Sequence, residues 1–247
     1  MPRSTRFRLA AVCALALSLT FVLAATAAAK GPLAELRVVG GGGKVLAEKP
    51  VVMANTSVKT SPKATCFGPG SGGSGDSVQL KGTTAMGLLA SGSKTIPALR
   101  PLLISDAFDF GLALCGVGSS VAKGKASWYL KINHKSLEVG GDAAKIKPGD
   151  EVLWALAPSF PYPDELVLTA PSTAKAGMSF TVRVMAYDEK GRGKPLAGAK
   201  VTGAAEPTGA DGRTTVTLSK PAKLIARAAG EIPSAREPVC VGGKCPK

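Results

Sequence analysis

The sequence predicts a mainly β protein in two segments, with one short helix in the first and a small β-sandwich for the second. Three observations carry this. The 30 Gly and 18 Pro punctuate short apolar stretches that mostly alternate with polar residues, the period of half-buried strands. Residues 83–92 alone have helical spacing. Pro158, Pro161 and Pro163 fall within six residues, enough to break a sheet and stiffen a linker. The 247 residues allow one large domain or two small ones. With 45% apolar and only 5% aromatic residues, the composition excludes collagen, coiled coil and a polytopic membrane protein.

Residues 1–8 carry three arginines, residues 9–23 form an almost unbroken apolar run, and small residues follow through Ala29. That order predicts a signal peptide over residues 1–29, cut after Ala27 or Ala29, so that the mature chain begins at Ala28 or Lys30. No later stretch reads as a membrane span. The protein is expected to be secreted, either released or kept at the cell envelope.

Residues 33–39 and 44–48 read as a hairpin around Gly40-Gly-Gly-Gly43, followed by an extended piece over residues 51–58. In residues 83–92 a Thr N-cap precedes apolar positions 85, 86, 88 and 89, and Gly92 is expected to stop the helix. Strands are then expected over residues 101–105, 108–117, 127–133 and 151–157, the last entered through the Lys147-Pro148-Gly149-Asp150 turn and central in its sheet. Beyond the prolines, Phe180, Val182, Val184 and Ala186 alternate with polar neighbours. Asp211-Gly212 turns the chain into residues 214–218, and residues 223–229 and 237–241 complete a strand density that argues a sandwich. The expected organisation is a first domain at 30–157, a linker at 158–163, a second domain at 164–241 and a tail at 242–247.

Of the 5 cysteines, four belong to the expected mature chain, an even number in an oxidising compartment that allows three connectivities. Position within the segments favours Cys66–Cys115 and Cys240–Cys245. The terminal Cys-x₄-Cys has no second pair at zinc spacing, so no metal is expected.

The run Ser127-Trp128-Tyr129-Leu130-Lys131-Ile132-Asn133-His134-Lys135, then Val139-Gly140-Gly141, then Lys147-Pro148-Gly149-Asp150-Glu151-Val152-Leu153-Trp154, resembles the transcobalamin-like C-terminal domain family of secreted bacterial proteins. The resemblance runs from about Leu33 to Ala157. It implies a β-grasp-like fold, strands curled over one short helix. In cobalamin carriers the related domain covers one face of a corrinoid while an α-helical domain holds the other, so the resemblance implies a corrinoid as one ligand, though this sequence shows no helical counterpart. The second segment, through residues 193–201 and 208–215, resembles bacterial immunoglobulin-like spacer domains.

Chemistry is sparse. Gly70-Ser-Gly-Gly-Ser-Gly75 fits a dinucleotide pattern, but no helix is read at Asp76 to receive a pyrophosphate, so a loop is expected instead. His134 is the one imidazole, read as an exposed turn residue whose cation the neighbouring Lys135 disfavours. No nucleophile elbow accompanies it. Asp150 and Glu151 point to opposite strand faces, so they do not pair as acid and base. The net charge of +14 is spread singly, without the interleaved stacking aromatics of a nucleic-acid binder. Trp128 shares a strand face with Leu130 and Ile132 and is assigned to the core. Tyr129 and Lys131 share the opposite face, read as free, and with Asn133 and His134 at the hairpin tip they form the candidate ligand site. The expected function is a monomeric, non-catalytic binding module without cofactor, its ligand or envelope component met by the first domain and the second a spacer. The alternative is a wall-associated structural or adhesive protein held by its basic charge.

Overall fold

Leu36 and Val38 alternate with Arg37 and Val39, yet all four are buried, so this strand is covered on both faces. The computed structural model describes residues 31–246 and is mainly β; the expected signal peptide lies outside the described residues. Along the chain run β1 (Leu33–Gly40), β2 (Lys44–Val52), β3 (Thr56–Lys59), β4 (Ser77–Leu80), α1 (Ala85–Thr95), β5 (Leu102–Ser105), β6 (Ala113–Val117), β7 (Ser120–Val121), β8 (Ser127–Ile132), β9 (Lys135–Ser136) and β10 (Glu151–Ala157). After the prolines come β11 (Glu165–Thr169), β12 (Thr173–Ala174), β13 (Ser179–Tyr187), β14 (Gly193–Pro195), β15 (Lys200–Val201), β16 (Arg213–Thr217), β17 (Ala222–Leu224), β18 (Ala226–Arg227) and β19 (Glu237–Val241). None of the helices among the described residues is long and apolar enough to cross a membrane.

The principal sheet has the order β2-β1-β10-β8-β9, with β1 and β10 parallel and the other neighbours antiparallel. Its central strand is β10, as the apolar run around Trp154 predicts. Leu36, Val38, Leu130, Val152 and Trp154 face α1, where Met86, Leu88 and Leu89 complete the first core. Thr84 caps α1 by accepting from the Gly87 amide at 3.2 Å. Gly92 does not stop the helix, which continues to Thr95. A Cβ there would stand 2.7 Å from Leu36 Cδ2, so this glycine serves a close approach of helix to strand rather than a C-cap.

Leu166, Leu168, Val182, Val184, Val216, Leu224 and Val239 form the second core, within small sheets of order β11-β13-β14, with β16 also on β13, and β12-β19-β17. Between the two cores lies a third cluster of Val39, Tyr129, Leu153, Ala155 and Ala157 against Ile232 and Tyr162. Residues of both segments therefore pack directly on each other. Two disulfides are closed, Cys66–Cys115 with Cα atoms 5.4 Å apart and Cys240–Cys245 with Cα atoms 4.1 Å apart; both suit an oxidising, extracellular setting.

Candidate functional site

The pleat separates the residues proposed from sequence onto two faces and gives each a different environment. On β8, Trp128, Leu130 and Ile132 face the first core, and Trp128 is half-buried there. Tyr129 and Lys131 do share the opposite face, but that face is not free. Tyr129 is 3% exposed and Lys131 1%, because the second segment lies over them. Among the described residues no second helical layer covers the sheet, and its far face is covered by β strands and the proline segment, with Tyr162 stacked on Tyr129 at 4.2 Å. The expected exposed patch at Tyr129 and Lys131 is therefore corrected to a buried junction.

At that junction, cross-strand pairing sets Arg37, Leu153 and Lys131 in one row across β1, β10 and β8. Alternation on β11 sends Leu166 and Leu168 into the second core and turns Glu165 back toward this row. The Glu165 carboxylate, fully buried, pairs closely with Arg37 Nη2 and lies 3.7 Å from Lys131 Nζ and 3.2 Å from His134 Nδ1. Arg37 Nη1 also donates to the Pro233 carbonyl at 2.9 Å, its Nε lies 3.5 Å from Glu151, and Lys131 donates to the Tyr187 carbonyl at 2.7 Å. Burial pushes the Lys131 pKa down, partly offset by Glu165. Burial alone would push the Glu165 pKa up, but its contact with His134 and the charges of Arg37 and Lys131 prevail and hold it below the usual carboxylate range.

His134 is thus not an exposed turn residue, although it does occupy the hairpin tip. Asn133 and His134 both adopt positive φ, 49° and 68°, as a two-residue turn between β8 and β9 demands. The tip is fastened to the second segment by Ser136 N donating to the Glu189 carbonyl at 2.9 Å, and the imidazole packs 4.6 Å from the Tyr187 ring. The Glu165 contact raises the His134 pKa, against the burial that lowers it, so the direction expected from Lys135 is reversed. No acid adjacent in sequence does this; the carboxylate arrives from 31 residues away in the chain, at Glu165. Asn133 makes a local bracket instead, donating to Asp150 Oδ1 and accepting from the Glu151 amide, both at 2.9 Å. His134, Glu151 and Glu165 each offer a ligand atom within 4.8 Å of the others. Arg37 and Lys131 already supply the cations for those carboxylates, so this is an ion-pair hub rather than a metal cradle.

A raised histidine pKa stabilises the fold fully below the unfolded-state value near 6.5, and the contribution is lost as pH rises through the folded value. Denaturant unfolding at about pH 6 and about pH 8 is therefore expected to show wild type losing stability relative to His134→Gln as the pH rises. Equal loss in both proteins would contradict the His134–Glu165 coupling.

The other face of β8 leads to an open cleft. Trp128 and Trp154, on neighbouring strands, form part of its lining, with Leu112 and Leu114 near β6, the 136–141 loop, and Tyr162; its volume is about 220 Å³. Gly141 permits this geometry, because a Cβ there would lie 2.4 Å from the Trp154 ring. Cys66 places Phe67 on the rim, where Phe67 and Phe110 are 59% and 65% exposed. Phe108 bridges them, stacked 4.8 Å from Phe110 and edge-on 5.3 Å from Phe67, and Phe160 packs edge-on against Tyr162. Of the ten aromatic residues described, six line this cleft and Phe108 and Phe160 touch its rings, which leaves only Phe180 and Tyr187 elsewhere. Not one lining side chain is charged, in a chain of net charge +14. The Nε1 atoms of Trp128 and Trp154 are buried without a hydrogen-bond partner.

A larger hollow of about 840 Å³ lies between the Gly40–Gly43 turn, Pro158 and Arg227–Pro233. Its walls are mostly glycine, alanine and proline, and Arg227 Nη1 is already bonded to the Gly43 carbonyl at 3.1 Å. The glycine-rich loop is pinned by Ser74, whose amide and hydroxyl donate to Asp106 at 2.7 Å, and is followed by strand β4, not by a phosphate-binding helix. From the sequence reading, only Tyr129 among the four candidates borders the aromatic cleft, while Phe67, Phe110 and Trp154 were missed as site residues, as were Arg37 and Glu165 at the hub. The loop aromatics carry no periodic signal; their scarcity in the composition was the available clue. No known family model and no curated protein matches this sequence.

Proposed function

We propose that the protein is a secreted, non-catalytic binding module that takes its ligand in the aromatic cleft of the first segment, with the second segment holding that module as a spacer. The observation that carries this is the gathering of eight of the ten aromatics among the described residues at one partly open cleft. Exposed aromatic rims around a small cavity are energetically costly surface unless something covers them. Secretion is supported by the N-terminal sequence pattern and the two disulfides. A binding role without chemistry is supported by the engagement of the only histidine in the Glu165 hub. The mixed sheet over one helix supports the β-grasp-like reading of the first segment, and the strand-rich second core an immunoglobulin-like one. A corrinoid, far larger than the cleft, would meet it only across the rim.

Co-sedimentation of the mature protein with isolated envelope material tests this. Retention should persist in about 1 M salt, where the Debye length is ~3 Å, and should fall in a Phe67→Ser/Phe110→Ser double variant. Retention abolished by salt and indifferent to the double variant would replace this reading with association through basic charge.

A further inference from the structure

We propose that the cleft recognises an uncharged, N-acetylated sugar of a glycan chain. The inference rests on the cleft being the binding site and names its ligand class from the chemistry of the walls. A charge-free lining in a strongly basic chain offers no partner to phosphate, carboxylate or ammonium, so a ligand entering it must be neutral. The two indole N–H groups are hydrogen-bond donors only, and both are buried without an acceptor; Trp154 is 3% exposed. Neither nitrogen is open to solvent as the side chains stand, so a ligand carbonyl meets one only with a small shift of the cleft wall, and in doing so satisfies a group that the fold leaves unpaired. Met86, Leu112, Leu114 and Leu137 share the cleft lining and the apolar cluster with the two indoles, and such side chains suit a methyl group beside that carbonyl. An acetamido group carries both.

The rim asks for something different. The exposed rings of Phe67 and Phe110 offer apolar faces to solvent at the cleft mouth, and Phe160, 74% exposed, extends the surface beyond Tyr162. The C–H face of a pyranose ring packs on such surfaces while its hydroxyls stay in water. A chain of such rings can meet several of these aromatics at once. The volume of about 220 Å³ accommodates one acetamido group and part of its ring, with the remainder outside.

Trp128 and Trp154 are the only tryptophans in the chain, so intrinsic emission reports on the cleft wall and the core directly behind it. The probe is tri-N-acetylchitotriose, titrated against the mature protein, with cellotriose as the trimer lacking acetamido groups, chitotriose as the cationic counterpart and N-acetylphenylalanine amide as a neutral peptide surrogate. The acetylated trimer should shift the emission saturably and bind at least tenfold more tightly than either sugar control. Phe67→Ser/Phe110→Ser should weaken it at least tenfold with an unchanged circular-dichroism spectrum, since both side chains are largely in solvent. No saturable response at millimolar acetylated trimer, or equal binding of cellotriose, overturns the ligand class. If the peptide surrogate or solubilised envelope material shifts the emission in its place, the cleft stands as the binding site and only the sugar assignment falls. If none of them does, both fall.

Discussion

Glu165→Gln is expected to destabilise the fold by about 3–5 kcal/mol, the cost of removing one member of a buried ionic group and leaving its partners uncompensated. The isosteric amide keeps the volume but removes the charge that balances Arg37 and Lys131, both buried and both within the reach of that carboxylate. Glu151 remains, but it sits 3.5 Å from Arg37 and is one-third exposed, a weaker neutraliser. Replacing the hub as a set, with Arg37→Met, Lys131→Met and Glu165→Leu, should restore most of the loss, because apolar groups of similar volume need no counter-ion. Urea unfolding of the single and triple variants decides the matter. A single variant within about 1 kcal/mol of wild type would mean that the hub is solvated and contributes little.

Opening Cys66–Cys115 is expected to cost about 4 kcal/mol, against about 2 kcal/mol for Cys240–Cys245, on loop-closure entropy alone. The two bridges span 49 and 5 residues, which is the whole of the difference. The paired Cys66→Ser/Cys115→Ser and Cys240→Ser/Cys245→Ser variants should therefore separate clearly in thermal unfolding. The first should also alter tryptophan emission before global unfolding, since Cys66 and Phe67 border the cleft with both indoles. Equal destabilisation by the two pairs would contradict the loop-length account.

Much of the fold is legible in the sequence where a local period governs it. Thr84 caps the helix, the alternation from Phe180 to Ala186 marks β13, and the apolar run around Trp154 marks the central strand. Periodicity also sorts Trp128 from Tyr129 correctly onto opposite faces of β8. It does not say what covers a face, and so Tyr129 and Lys131, which look like a free surface, are the floor of a junction. Gly92 misleads for a related reason: a glycine required by a neighbouring strand is indistinguishable in sequence from one that ends a helix. The candidate site was least legible. Glu165, just past the proline linker, carries no sign of burial in the sequence, and only its pairing with β1 and β8 across 128 and 34 positions makes it a hub.

The junction also fixes a direction. Tyr129 stacked on Tyr162, Ser136 bonded to Glu189 and Glu165 clasped by Arg37 tie the strand behind the aromatic cleft to the C-terminal segment at three separate points. A copy held by its C-terminal end would present the cleft along one bearing, as a bracket does rather than a leash. Two such copies would reach neighbouring ligands only at the separations their attachment points allow, so the spacing of sites along a target would govern avidity more than the affinity of any single cleft.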